Sequence, residues 1–202
     1  MTLNEGLFYN GTEGFLGKPE DCRLLFLLKE PDSSGTDVEE GRFWFQEVYQ
    51  GEKKGAKYLE PLRRIASLLL PDTEDPLSCV AYINLHPVKG GNYESKDFRD
   101  TLKKFKNGSD IFNRWDIIKA MPDGGCVVTT KNIFNAALYA VKNNLVKGCC
   151  MVEQKPALMI AGRVLCSFVF QTDGKMITVL SMYHPVYMSR NGWKASDIIL
   201  AF

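Results

Sequence analysis

The chain has 202 residues, 45% of them hydrophobic and 24% charged, with a formal net charge of +1. That length and apolar share suit one substantial core in a single domain spanning 1–202. Near-neutrality argues against a strongly electrostatic nucleic-acid binder, which would carry a basic surplus, although a local basic face is compatible with it. Six cysteines (Cys22, Cys79, Cys126, Cys149, Cys150, Cys166) show no C-x-x-C spacing, and several sit in apolar runs. They read as buried thiols in a reducing compartment rather than as a disulfide framework. The opening Met1-Thr2-Leu3-Asn4-Glu5-Gly6 lacks the basic-then-apolar profile of a signal peptide. No apolar stretch approaches the roughly 20 residues that span a bilayer. The expectation is a soluble, cytoplasmic, monomeric protein that needs no membrane.

In chain order, a glycine-rich lead (Gly6, Gly11, Gly14, Gly17) comes first. Leu24-Leu25-Phe26-Leu27-Leu28 follows, apolar on both faces as in a central parallel strand. Asp32-Ser33-Ser34-Gly35 is turn chemistry. Helices are expected over 43–49 and over 58–70, the second with Leu59, Leu62, Ile65, Ala66 and Leu69 at helical spacing and Pro71 as its stop. A second buried strand covers 79–85, and His86-Pro87 and Gly90-Gly91 break it. A short helix opens at Ser95-Lys96-Asp97-Phe98, another covers 111–121, and a third strand covers 126–130. A helix over 133–145 ends near Gly148, and strands over 164–171 and 175–182 flank the hairpin signal Thr172-Asp173-Gly174. The tail over 193–202 reads as a closing helix. Strands alternating with helices predict a three-layer α/β/α sandwich with a central, mostly parallel sheet.

Metal and phosphate motifs are missing. The two histidines, His86 and His184, share no H-x-x-x-H or H-x-H pattern, and adjacent Cys149-Cys150 does not match zinc spacing. There is no G-x-x-x-x-G-K-[ST], G-x-G-x-x-G or G-x-S-x-G. Neither a metal nor another cofactor is expected.

Two strand ends carry chemistry instead. Leu24 to Leu28 runs into Lys29-Glu30-Pro31-Asp32, and Thr178-Val179-Leu180-Ser181-Met182 runs into Tyr183-His184-Pro185. Proline stops the ladder, and the residue before it is pushed to extended backbone, so Glu30 and His184 belong at strand ends. Asn84 ends the strand between them. Ligands of open α/β sheets bind outside the carboxyl ends of the strands, so the three residues suit one crevice. Each also has an ordinary explanation: a solvated carboxylate, a turn-making amide and a loop-capping histidine.

This arrangement resembles the uracil-DNA glycosylase superfamily. There, a first buried strand ends in a short polar motif with proline, such as G-Q-D-P-Y or G-E-x-P-G. A middle strand ends in an asparagine that reads the base, and a late strand ends in His-Pro. This chain carries Lys29-Glu30-Pro31-Asp32, then Ile83-Asn84-Leu85-His86-Pro87-Val88-Lys89, then Tyr183-His184-Pro185, in that order. Met188 stands four residues after the histidine, where family members place an apolar wedge, and Arg190-Asn191-Gly192-Trp193 resembles the Arg-Gly-aromatic stretch beyond it. The chain departs from the pattern at Leu28 (usually Gly), at Lys29 (usually Gln, Glu or Asn) and at Val186 (usually Ser), and it lacks the iron–sulfur cysteines of some members.

The resemblance implies a uracil-DNA glycosylase-like fold and a DNA glycosylase acting on a flipped deaminated or damaged base such as uracil in base excision repair. His184 would donate to a carbonyl oxygen of the departing base, and Glu30 would stabilise the cationic sugar or orient water. Lys29 is placed to keep the imidazole neutral. Asn84, with one acceptor and two donors, would read a pyrimidine edge. Phe43 or Phe45, in the Phe43-Trp44-Phe45 cluster, would stack on the base, while Met188 filled the gap left in the duplex. Pro31, Asp32, Pro185 and Arg190 complete the expected substrate contacts. Helix-face packing for the aromatic cluster and a loop anchor for Met188 are the plain alternatives. DNA contact would draw on Lys53, Lys54, Lys57, Arg63 and Arg64, diluted by five nearby glutamates, or on Lys96, Arg99, Lys103, Lys104 and Lys106. A solvated helix face explains such a run equally well. Two further functions fit the same residues: nucleic-acid or nucleobase binding without turnover, and catalysis on a free nucleoside or nucleotide.

Overall fold

Five consecutive apolar side chains give Leu24–Leu28 no face to turn to water, and the strand is buried along its whole length. It lies inside the sheet of a computed structural model that describes residues 13–28, 44–52, 54, 56–84, 112–160 and 163–182. The elements are β1 (Gly14–Phe15), β2 (Leu24–Leu28), α1 (Trp44–Tyr49), α2 (Ala56–Leu69), β3 (Val80–Asn84) and α3 (Phe112–Ala120). They continue with β4 (Cys126–Thr129), α4 (Lys131–Lys142), β5 (Cys149–Gln154), β6 (Leu158–Ile160), β7 (Arg163–Thr172) and β8 (Lys175–Ser181). The helices expected near residue 95 and over 193–202 fall outside the described residues.

The sheet runs β1-β3-β2-β4-β8-β7-β5, and β6 pairs with β7 off this path. Its centre, β3-β2-β4-β8, is parallel; β1, β7 and β5 add antiparallel pairings at the two ends. The fold is therefore mixed α/β, with more antiparallel pairing than the alternation of strands and helices suggested.

Alternate residues of the central strands enter two different clusters, as the two-residue period of a strand requires. Leu25, Leu27, Ala81, Ile83, Val127 and Val179 pack with Trp115, Ile117 and Ile118 of α3 and with the buried stripe of α4. That stripe is Ile133, Phe134, Ala136, Ala137, Ala140 and Val141, at the spacing of one helix face. Leu24, Phe26, Leu28, Val80, Tyr82, Val128 and Leu180 pack instead with Val48 of α1 and with Leu59, Leu62, Ile65 and Ala66 of α2. The apolar pattern read in 58–70 and 133–145 is thus the pattern of two buried helix faces.

Local chemistry explains the joints. Asp173 (φ 48°) and Gly174 (φ 76°) both adopt left-handed backbone between the paired residues Thr172 and Lys175, as a type I′ hairpin turn demands. Lys175 donates through Nζ to the main-chain oxygens of Lys119 and Met121, and so ties off the carboxyl end of α3. Tyr49 at the end of α1 donates its hydroxyl to Asp75, whose other oxygen accepts the Leu77 amide and caps the 3-10 turn entering β3. Burial first, then that carboxylate, pushes the Tyr49 phenol up to about 12.

At Gly17 the chain passes so close to this turn that an added Cβ would lie 2.2 Å from the Ser78 carbonyl oxygen. Gly17→Ala must therefore move backbone. We expect it to lower stability by about 1–3 kcal/mol, an overpacking cost, in urea unfolding. An unchanged midpoint would refute that close approach.

The sequence pattern did not mark β1, β5 or β6. Cys149-Cys150, which matched no element, opens β5, and a register shift between Met151 and Glu153 leaves Val152 outward at 50% exposure. All six cysteines are free thiols: Cys22, Cys79, Cys126 and Cys149 are buried, Cys166 is half-buried and Cys150 is exposed. Burial drives the Cys22 and Cys126 thiols up to about 12 and raises that of Cys149, where a hydrogen bond with Thr172 partly opposes it. Because the thiolate is the reactive form, iodoacetamide at pH 8 should label Cys150 first and leave Cys22 and Cys126 unmodified until the chain unfolds. Peptide mapping by mass spectrometry reads this directly, and native labelling of Cys126 would contradict the packing. Among the described residues, no helix is long and apolar enough to cross a membrane.

Candidate functional site

Four parallel neighbours end at one edge of the sheet, and their last rungs are level. Leu28 pairs with Asn84, and Leu27 pairs with Thr129, which pairs in turn with Ser181. One step further, the Met182 amide donates to the Thr129 carbonyl oxygen at 2.7 Å. The chain passes from β2 to β3 on one side and from β3 across to β4 on the other. The order reverses between β2 and β4, and such a reversal opens a crevice outside the carboxyl ends of the strands. Lys29-Glu30-Pro31-Asp32 follows Leu28 in sequence, and Tyr183-His184-Pro185 follows Met182.

These two motifs, with Phe43, Met188 and Arg190, lie outside the described residues. Phe45 occupies the second position of α1, so its place is on a helix. Asn84 closes β3 and is completely buried. Strand alternation puts its side chain on the face shared by Val80 and Tyr82. Its main-chain amide donates to Glu13 Oε1 at 2.9 Å.

Further polar side chains collect at this edge. Glu13, Thr129 and Ser181 are each only 1% exposed. Thr129 donates through Oγ1 to the Leu27 carbonyl oxygen at 2.6 Å, bridging β4 to β2 where the strand order reverses. The next residue, Thr130, is the extended N-cap of α4, so the first amides of that helix open beside the same rungs. The dipole of a helix start favours negative charge.

Burying hydroxyls, an amide and a carboxyl group together is costly unless they are hydrogen-bonded. Strand alternation puts Asn84 on the α1/α2 face of the sheet and Thr129 and Ser181 on the α3/α4 face, so these groups flank the strand ends from both sides. Among the described residues, no group of three or more His, Cys, Asp or Glu side chains is placed to hold a metal ion.

The sequence reading selected Asn84 but passed over Thr129, Ser181 and Glu13. For the first two a signal existed: each is a polar residue ending a buried apolar run, the same cue that picked out Asn84. Glu13 had none. It stands in the glycine-rich lead, and only the pairing of β1 with β3 brings it to the edge.

Comparison of the chain with protein-family models, with curated proteins and with solved structures gives no match.

Proposed function

We propose that this chain is a DNA glycosylase-like hydrolase of three-layer α/β/α architecture that cleaves the N-glycosidic bond of a flipped, deaminated or damaged base such as uracil. The observation that supports it best is the level ending of β3, β2, β4 and β8, with buried Asn84 at that edge. Both proline-terminated motifs continue in sequence from those rungs. The two apolar clusters, one with α3 and α4 and the other with α1 and α2, support the layered architecture.

Breaking the bond leaves positive charge on the sugar and negative charge on the base. In this reading His184 donates to the base carbonyl oxygen that gains the charge. Glu30 faces the sugar, where a carboxylate stabilises an oxocarbenium-like centre and directs water to it. The Asn84 amide pairs with the base edge, and Phe43 or Phe45 offers an aromatic face to it. The start of α4 favours a phosphate nearby. The protein then acts on DNA inside the cell, without a metal or cofactor.

The test is release of free base from oligonucleotides carrying uracil and a panel of damaged bases, scored by alkaline cleavage of the abasic product. Purified protein is expected to cut at one or more of these bases. Salt-sensitive binding with no product would show a nucleic-acid-binding protein without turnover. Failure of duplex DNA to compete with a nucleoside would point to a small-molecule enzyme.

A further inference from the structure

Glu13 closes the end of β3 in an unusual manner. The Leu16 amide donates to the Val80 carbonyl oxygen at 2.9 Å, so the main-chain groups of Val80 face β1. Hydrogen-bonding direction alternates along a strand, so those of Tyr82 and Asn84 face the same way. Gly14 pairs with Tyr82, and β1 begins there. Beyond that rung the Asn84 amide meets a side chain, the Glu13 carboxyl group at 2.9 Å. Both residues are buried, at 1% and 0% exposure. A carboxyl group withdrawn from water is a costly acceptor where a main-chain carbonyl would serve, and its bond to an amide is correspondingly strong when it is ionised.

We propose that Glu13 is a positioning residue for the base-reading amide of Asn84. By holding the Asn84 peptide, it sets the direction in which that side chain leaves the strand and so the discrimination between bases. The inference rests on the function proposed above and adds a residue that the resemblance does not supply.

Two measurements on the full chain test it. One is the ratio of single-turnover release rates for uracil against the next-best base of the panel. The other is hydrogen exchange of the peptide covering 80–88. Glu13→Ala is expected to lower the ratio about tenfold, the equivalent of about 1.4 kcal/mol, and to speed exchange at Asn84. Glu13→Gln, which keeps an acceptor at the same reach, should restore both to within about twofold of the parent. In an Asn84→Ala background, Glu13→Ala should change the ratio no further, because coupled residues are not additive. Should Glu13→Ala fail to fold, Glu13→Asp removes one methylene of reach and is expected to show the same loss.

A Glu13→Ala or Glu13→Asp protein that loses thermal stability but keeps its base ratio overturns the inference. So does a Glu13→Gln protein as impaired as Glu13→Ala. A parent protein that releases no base from any substrate sinks the functional reading itself, and this inference with it, whereas an active parent with an indifferent Glu13 sinks the inference alone.

Discussion

In the proposed glycosylase reaction, replacing His184 by alanine is expected to slow base release by about 10²–10³-fold, or about 3–4 kcal/mol of transition-state stabilisation. The size follows from the chemistry. As the glycosidic bond opens, the base carries away an electron pair, and the charge concentrates on its carbonyl oxygens. A preorganised donor facing one of those oxygens acts mainly in the transition state, so its removal lowers the rate more than the affinity. Single-turnover rates with protein in excess separate the two. The expected pattern is a large fall in the limiting rate, with oligonucleotide binding changed less than threefold. A His184→Ala protein as fast as its parent would remove this residue from the mechanism, and a matching result for Glu30→Ala would remove the mechanism altogether.

The second large effect is on stability. Phe168→Ala is expected to cost about 3–5 kcal/mol. Phe168 is fully buried on β7 and meets the ring of Phe134 on α4 edge-on, with centroids 5.2 Å apart. Two residues along the strand, the Phe170 ring lies 6.1 Å from it and in turn meets Trp115 of α3 at 5.7 Å. The four rings form a continuous row on one face of the sheet, from α4 along β7 to α3. Truncating an inner member empties a site that the outer rings, anchored on separate elements, fill only partly. Urea unfolding should show a much lower midpoint with an unchanged slope. Tyr139→Ala, on the exposed side of α4 at 42% exposure, is the control and should shift stability by no more than about 0.5 kcal/mol. A loss below 1 kcal/mol at Phe168 would mean that the ring row does not carry the helix-to-sheet packing.

Much of the edge was legible from residues alone. A strand that ends in proline announces its own end, because the ring removes the donor that would continue the ladder. β8 ends at Ser181, one residue before the expected close at 182. Asn84 could be placed for a related reason, as the polar close of a strand-length apolar run. The helical stripe of Ile133, Phe134, Ala136 and Ala137 was equally plain, since its period belongs to the helix itself.

Other features had no local signature. β1 holds only two residues and exists because β3 lies beside it. β5 carries exposed Glu153 and Gln154, so no alternation marked it, and its pairing with β7 makes it a strand. Glu13 and Asn84 are 71 positions apart, and no spacing rule joins them.

The amino-acid sequence by itself marked the central strands β2, β3, β4, β7 and β8 and the helices α1 to α4, because propensity and period act over a few neighbouring residues. It also nominated the acid, amide and imidazole of the proposed chemistry. Tertiary structure alone decided the order β3-β2-β4-β8, the level alignment of their ends and the meeting of Glu13 with the Asn84 amide. Those depend on hydrogen bonds between strands remote in the chain, whose partners are chosen by the packing of the whole sheet.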